Sequence, residues 1–198
     1  MEPNKPEIVS EDKHIERLLA NAFGGPPTLQ RISHVARKYE TTVLSVSGHP
    51  EPELSSHATI GLWRTPLTAL KILETQRLEL VGIFETNKEG CREVLASAAF
   101  RIMRTKKYLA AGNVIQDCLH EWYPKASVPH LYFVDAIHWS FPQLKPAAMG
   151  PLTIRFLQAI PIAESEYQFF QEHGSRALES KLLGGSANIW DLKRPPAI

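Results

Sequence analysis

The sequence predicts an α/β (α+β) fold, a mixed β-sheet of about six strands with helices packed on its faces. Three observations predict it. Runs rich in β-branched and apolar residues recur on both sides of the chain's middle, one segment of clear helical period lies between them, and helical patterns open and close the chain. Strands and helices do not alternate regularly, so a mixed sheet is expected rather than a βαβ array.

The elements follow in order. Residues 1–9 are polar and broken by Pro3 and Pro6, a loose segment ahead of one expected domain at 10–198. Ser10 stands as an N-cap before Ile15, Leu18, Leu19 and Ala22, whose helical spacing ends at Gly24 and Gly25. Pro26 and Pro27 stop that helix; residues 41–46 and 57–63 are strand-like, with an exposed loop at 48–53 between them. Residues 78–84 are nearly all apolar, as an interior strand would be. From Gly90 the period changes: Val94, Ala98 and Ile102 form one stripe and Leu95, Ala99 and Met103 another, which leaves Arg92, Glu93, Arg101 and Arg104 toward water. Three further strands are expected at 113–119, 131–137 and 152–160, the last ended by Pro161. Residues 164–171 form a helix, Gly174 and Ser175 stop it and cap another, and Gly184 and Gly185 end that one. The tail from Asp191 is ordered only if Trp190 docks.

Bulk properties exclude several function classes. The 198 residues are 43% hydrophobic and 22% charged, close to globular averages, and no apolar run is long enough for a bilayer. The polar start carries no leader pattern, so the cytoplasm is the expected location. A net charge of +1 gives no field that would steer the chain to nucleic acid or an anionic membrane. Cys91 and Cys118 form no CxxC pair and are expected as buried thiols.

Signatures of chemistry are missing as well. The 8 histidines contain no HExxH or HxH spacing, although His49 and His57 could meet across a hairpin and His130 and His138 flank one strand. No nucleophile elbow or phosphate-cradling glycine loop occurs, so no catalytic residue, metal or cofactor is assigned. Arg101, Arg104, Lys106 and Lys107 cluster where the central helix should end, and Glu164 and Glu166 where the next begins; the helix dipole accounts for both. Trp122, Tyr123, Tyr132, Phe133, Trp139 and Phe141 crowd one stretch, and such side chains anchor protein interfaces. Tyr132 and Phe133 lie on opposite faces of a strand, so at least one is expected at the surface.

Taken in order, several segments resemble the suppressor-of-fused domain family: residues 57–62, 78–84 leading into the helix at 95–103, Ala111 to Val114, 129–133, and 156–162 with Glu166, Tyr167, His173 and Gly174 after it. Asp191 and Arg194 match a short closing pattern, and the resemblance spans roughly residues 30–195. It implies a non-enzymatic mixed-sheet domain. The animal member restrains a transcription factor by holding a short peptide as an added strand, and bacterial single-domain members look like immunity proteins that neutralise a cognate toxin. The family places an acidic residue just after the Ala111-Gly112 equivalent and an aromatic on the preceding helix, where this sequence has Asn113 and Arg101.

The expected partner is therefore a cognate protein toxin, or else a peptide segment of a regulatory protein, and neither nucleic acid nor membrane. Arg101, Asn113, Val114, Glu121, Trp122, Tyr123, Asp135 and Trp139 are the candidate contact residues, with Glu121 and Asp135 offered to a basic partner surface.

Overall fold

The β-branched runs pair into one mixed sheet because each has an apolar face that only a second layer can cover. The structure, a computed structural model, describes residues 10–34, 39–68, 75–86, 89–136, 144–184 and 188–198. Helix α1 (Ser10–Phe23) precedes strands β1 (Thr28–Ser33), β2 (Glu40–Ser47) and β3 (Leu54–Ile60), a 3-10 turn (Leu62–Arg64) and β4 (Gln76–Glu85). Then come α2 (Cys91–Thr105), β5 (Val114–Ile115), β6 (His130–Asp135), β7 (Ala147–Met149), β8 (Leu152–Ile162) and α3 (Glu164–Gly184). The strand order is β1-β2-β3-β4-β8-β6-β5, with β7 also paired to β8. The β4–β8 ladder is parallel and the other described ladders are antiparallel.

Helices cover both faces of the sheet. Helix α2 lays Val94, Leu95, Ala98 and Ile102 on Val43, Leu80 and Leu157. On the other face α1 sets Ile15, Leu19 and Phe23 against Leu44, Val81 and Phe156, and the second half of α3 sets Leu178 and Leu182 against Tyr132, Ile160 and Ile162. Neighbours in sequence such as Val43 and Leu44 thus belong to different cores, the period-2 alternation of a strand buried on both sides. Helix α3 bends at Gly174, where φ 80° and ψ 176° interrupt the helix at the position the sequence marks. Among the described residues no helix is long and apolar enough to cross a membrane.

Two buried polar sites lock the layers together. Glu79 of β4 is fully buried; its carboxyl accepts from the Thr59 hydroxyl at 2.5 Å and from the N–H groups of Gly61 and Trp63 at 2.7 and 3.1 Å. Asp12 of α1 meets the same turn through Trp63 Nε1 at 2.9 Å and through the Arg64 guanidinium. At the chain's end Arg194 is 2% exposed and grips the fully buried Glu166 with both terminal nitrogens, at 2.5 and 2.8 Å. Burial alone would raise the Glu166 carboxyl, but Arg194 and the N–H groups of Ala163 and Ala197 hold it below the usual range.

Several sequence expectations are corrected by this packing. The mixed sheet with helices on its faces is as expected; among the described residues it has eight strands against about six, the additional β1 and short β7 lacking the apolar density that marks a strand in sequence. The strand expected at 113–119 is only Val114–Ile115, because the chain turns away at Asp117 with φ 51°. Pro161 does not end β8. The β4–β8 ladder stops at Gly82↔Ala159, so Pro161 needs no N–H on that side and pairs with Leu131 on the other. Tyr132 and Phe133 are both fully buried, Phe133 in the α2 core and Tyr132 under α3, its hydroxyl donating to Glu179 at 2.6 Å. Glu166 is an ion-pair partner and not merely a dipole residue. Cys91 and Cys118 are buried free thiols, as expected, and Trp190 packs against two of the cores.

Candidate partner-binding site

Among the described residues strand β5 is the end of the sheet, and only β6 pairs with it. Phe133 donates its N–H to Asn113 O at 2.9 Å and receives the Gly112 N–H at 2.7 Å. Strand groups alternate in direction, so with Asn113 O turned inward, the N–H and C=O of Val114 face the open edge. An unpaired edge of this kind accepts a partner strand, although two residues allow only a short ladder.

The edge forms one side of a groove of about 530 Å³. The last turns of α2 form a second wall with Arg101, Arg104 and, just beyond the helix, Lys107. Tyr167, Phe170 and Gln171 of α3 form the third, at the i, i+3, i+4 spacing that puts side chains on one helix face. Tyr167 and Phe170 are half-buried against the sheet, Tyr167 tilted at 5.5 Å from the His130 ring and Phe170 edge-on at 5.8 Å from Tyr132. The His130 ring is itself fixed: its Nδ1 accepts from Asp117 N at 3.0 Å, so Nε2 carries the proton donated to Glu164 at 2.7 Å. Gly112 closes the edge, with φ +87° and Ser175 Oγ only 2.8 Å from where a Cβ would stand. Among the described residues three cations and no carboxylate line this groove, so it favours an anionic or aromatic-rich segment.

The structure brings Arg101, Asn113 and Val114 together at this groove and separates Glu121, Trp122, Tyr123 and Asp135 from it. Arg101 spends two nitrogens on the carbonyls of Gln116 and Asp117, at 2.5 and 3.0 Å, and so holds the turn after β5. Asn113 is exposed and closes its turn, Oδ1 accepting from Ala110 N at 2.9 Å. Asp135 is exposed and bonded to Arg155 at 2.7 Å, so its charge is already answered within the sheet. Glu121 is exposed outside the groove. Trp122 and Tyr123 sit at the other end of α2 beside Gly90, the Tyr123 hydroxyl contacting Cys91 Sγ at 3.3 Å and the Glu89 carbonyl. Burial holds the Tyr123 hydroxyl protonated far above neutral pH. Trp139, like His138 and Phe141, lies outside the described residues.

Sequence reasoning passed over Tyr167, Phe170 and the groove role of Arg104 and Lys107. The helical spacing of the two aromatics was the available signal for the first pair; nothing in one dimension says that the basic cluster faces a sheet edge. Among the described residues no group of three His, Cys, Asp or Glu side chains could hold a metal ion.

A mixed sheet covered by helices on both faces, with an open edge beside a groove, defines an α+β fold. The comparisons narrow the class. The description "Suppressor of fused protein (SUFU)" matches residues 37–195, and the chain belongs to that family. It is similar to immunity protein YqcF of Bacillus subtilis (strain 168), 26% identical over 191 residues that cover 96% of this chain and 99% of the relative. Among solved structures, a suppressor-of-fused homologue from Neisseria gonorrhoeae superposes with TM-score 0.68 at 17% identity, over 94% of this chain and 96% of that one. A chain of the Sufu–Fu complex gives TM-score 0.66 at 14% identity, over 93% and 91%. Both structures speak to the fold.

Proposed function

We infer that the protein is a non-catalytic immunity protein, one domain that binds and neutralises a cognate protein toxin in the cytoplasm. The observation that carries this reading is the nearly end-to-end similarity to a relative named as an immunity protein. The groove beside β5 supports it. Three cations there would attract an acidic toxin segment, Tyr167 and Phe170 would take its apolar side chains, and Val114 would add backbone bonds. Neutralisation would then be steric. Co-expression with the product of the adjacent gene tests this: a stable complex on size exclusion and rescued growth are expected, and a toxic neighbour that neither binds nor is relieved would overturn it.

A second reading, a regulatory adaptor holding a peptide strand, is favoured by the outward-facing groups of Val114 and by the structural likeness to a chain of the Sufu–Fu complex. It differs in its minimal ligand: a linear peptide should bind as tightly as the folded partner.

A further inference from the structure

The N-terminal end of α2 overhangs a second cleft, of about 670 Å³, which the reading above does not use. Its floor comes from strand register. Thr28↔Ser45, Ser45↔His57 and His57↔Gly82 form one row across β1 to β4, on the face that α2 covers. Ser45 and His57 are buried polar side chains on a face whose core is otherwise built from α2 and the apolar residues of β4, so the pair calls for an explanation.

His57 is 6% exposed, and its Nδ1 lies 2.7 Å from Ser45 Oγ. Ser45 Oγ also accepts from Arg92 Nε at 2.9 Å. Among the described residues the Ser45 hydroxyl proton has no other recorded acceptor than His57 Nδ1, and giving it there assigns the ring the Nε2–H tautomer. His57 lines the cleft, and that Nε2–H has no hydrogen-bond partner among the described residues. Burial, then the neighbouring Arg92 charge, push the ring down to about 3, so it stays neutral and remains a donor near neutral pH.

Arg92 bonds only neutral acceptors among the described residues: Ser45, Gln30 Oε1 at 2.9 Å and Thr28 Oγ1 at 3.3 Å. Gln30 stands between it and Glu93, passing its amide N–H to Glu93 Oε1 at 3.3 Å. A guanidinium has five N–H groups, so two remain after these bonds. The backbone adds more donors. Gly90 caps α2 with φ 85° and no side-chain cap, and in the first turn of this 15-residue helix, whose residues line the cleft, the N–H groups of Arg92 and Glu93 have no intrahelical acceptor. A Cβ on Gly90 would stand 3.4 Å from the Tyr123 hydroxyl and 3.5 Å from Trp122.

Beside its hydroxyls and the Glu89 and Glu93 carboxylates, the cleft thus gathers three kinds of donor: the Arg92 guanidinium, the His57 imidazole N–H and the first turn of α2. We propose that this cleft binds a carboxylate, seated between the Arg92 guanidinium, His57 Nε2–H and the Arg92 and Glu93 N–H groups of α2. Glu89 and Glu93, which also line it, disfavour a phosphate dianion or a polyanion and leave a monoanion as the matching ligand. The carboxylate can come from an acidic side chain of the partner protein, with the 42% exposed Trp122 packing beside it, or from a free small acid.

The test is an NMR titration of the ¹⁵N-labelled full chain with sodium acetate, with sodium chloride at equal ionic strength and with inorganic phosphate. Expected are saturable acetate shifts at His57 Nε2 and at the amides of Cys91, Arg92 and Glu93, absent with chloride, with affinity about tenfold or more weaker in Arg92→Gln. If that variant does not fold, Arg92→Lys keeps the stem and charge, loses the fork, and should weaken acetate in the same direction. No acetate-specific shift, equal affinity in the folded variant, or phosphate binding as tightly as acetate would overturn the proposal. Displacement of acetate when the partner binds would assign the carboxylate to the partner, and acetate retained in the complex would assign it to a free acid. Because acetate binding is read on the protein alone, its outcome is independent of whether the partner is a toxin.

Discussion

Glu79→Gln should remove the alkaline limb of the protein's stability profile. Burial is the main force on this carboxyl and pushes it up to about 8 from 4.5, against the opposing bonds from Thr59, Trp63 and Gly61. Between those values the folded state holds a proton that the unfolded state has released. Stability therefore falls as pH rises through the window, by about 1.4 kcal/mol per unit. His57 has the opposite sign: with its folded value near 3 and its unfolded value 6.5, it costs stability as pH falls below 6.5. The two slopes cancel between 4.5 and 6.5, so the effect of Glu79 stands alone above 6.5. From there to 8 the loss is about 2 kcal/mol, or roughly 4–8 °C in thermal midpoint for a chain of this size. In Glu79→Gln the amide oxygen can still accept from Gly61 and Trp63 while the amide nitrogen donates to Thr59 Oγ1. Urea melts at pH 6.5 and 8.5 check this: the wild type should lose stability between them and the variant should not. The slope is the readout, whatever the variant's absolute stability. Parallel profiles for the two proteins would refute the reasoning.

Other consequences are equally open to measurement. Arg194→Met leaves Glu166 buried without its cation and should cost about 3–5 kcal/mol in a urea melt, most of it recovered by adding Glu166→Leu. Val114→Pro deletes an N–H that faces the open edge, so by calorimetry it should weaken partner binding about tenfold with little change in thermal midpoint. Unchanged affinity would exclude strand addition at β5. Gly112→Ala, forced to φ +87° against Ser175, should cost roughly 1–3 kcal/mol in the same melts.

The sequence by itself determined the fold class, because alternation and helical stripes report which residues must be buried. Residues 78–84 and the stripes from Val94 to Met103 became β4 and the face of α2 with little change. It also marked the Gly174 break and, through resemblance, the closing Arg194. Tertiary structure alone decided which strand became an edge. Val114 is ordinary in sequence, and its open hydrogen-bonding groups follow from Asn113 meeting Phe133, 20 residues away. The same holds for charge. Arg101, Arg104 and Lys107 look like a solvated helix end until folding sets Tyr167 and Phe170 of α3 in the same groove, while Arg92, apparently a surface residue, is drawn over a buried histidine by the β1–β2–β3 register. Periodicity records burial, a property of each residue. The sites depend on which distant residues meet, and that is set only when the sheet closes and the helices settle on it.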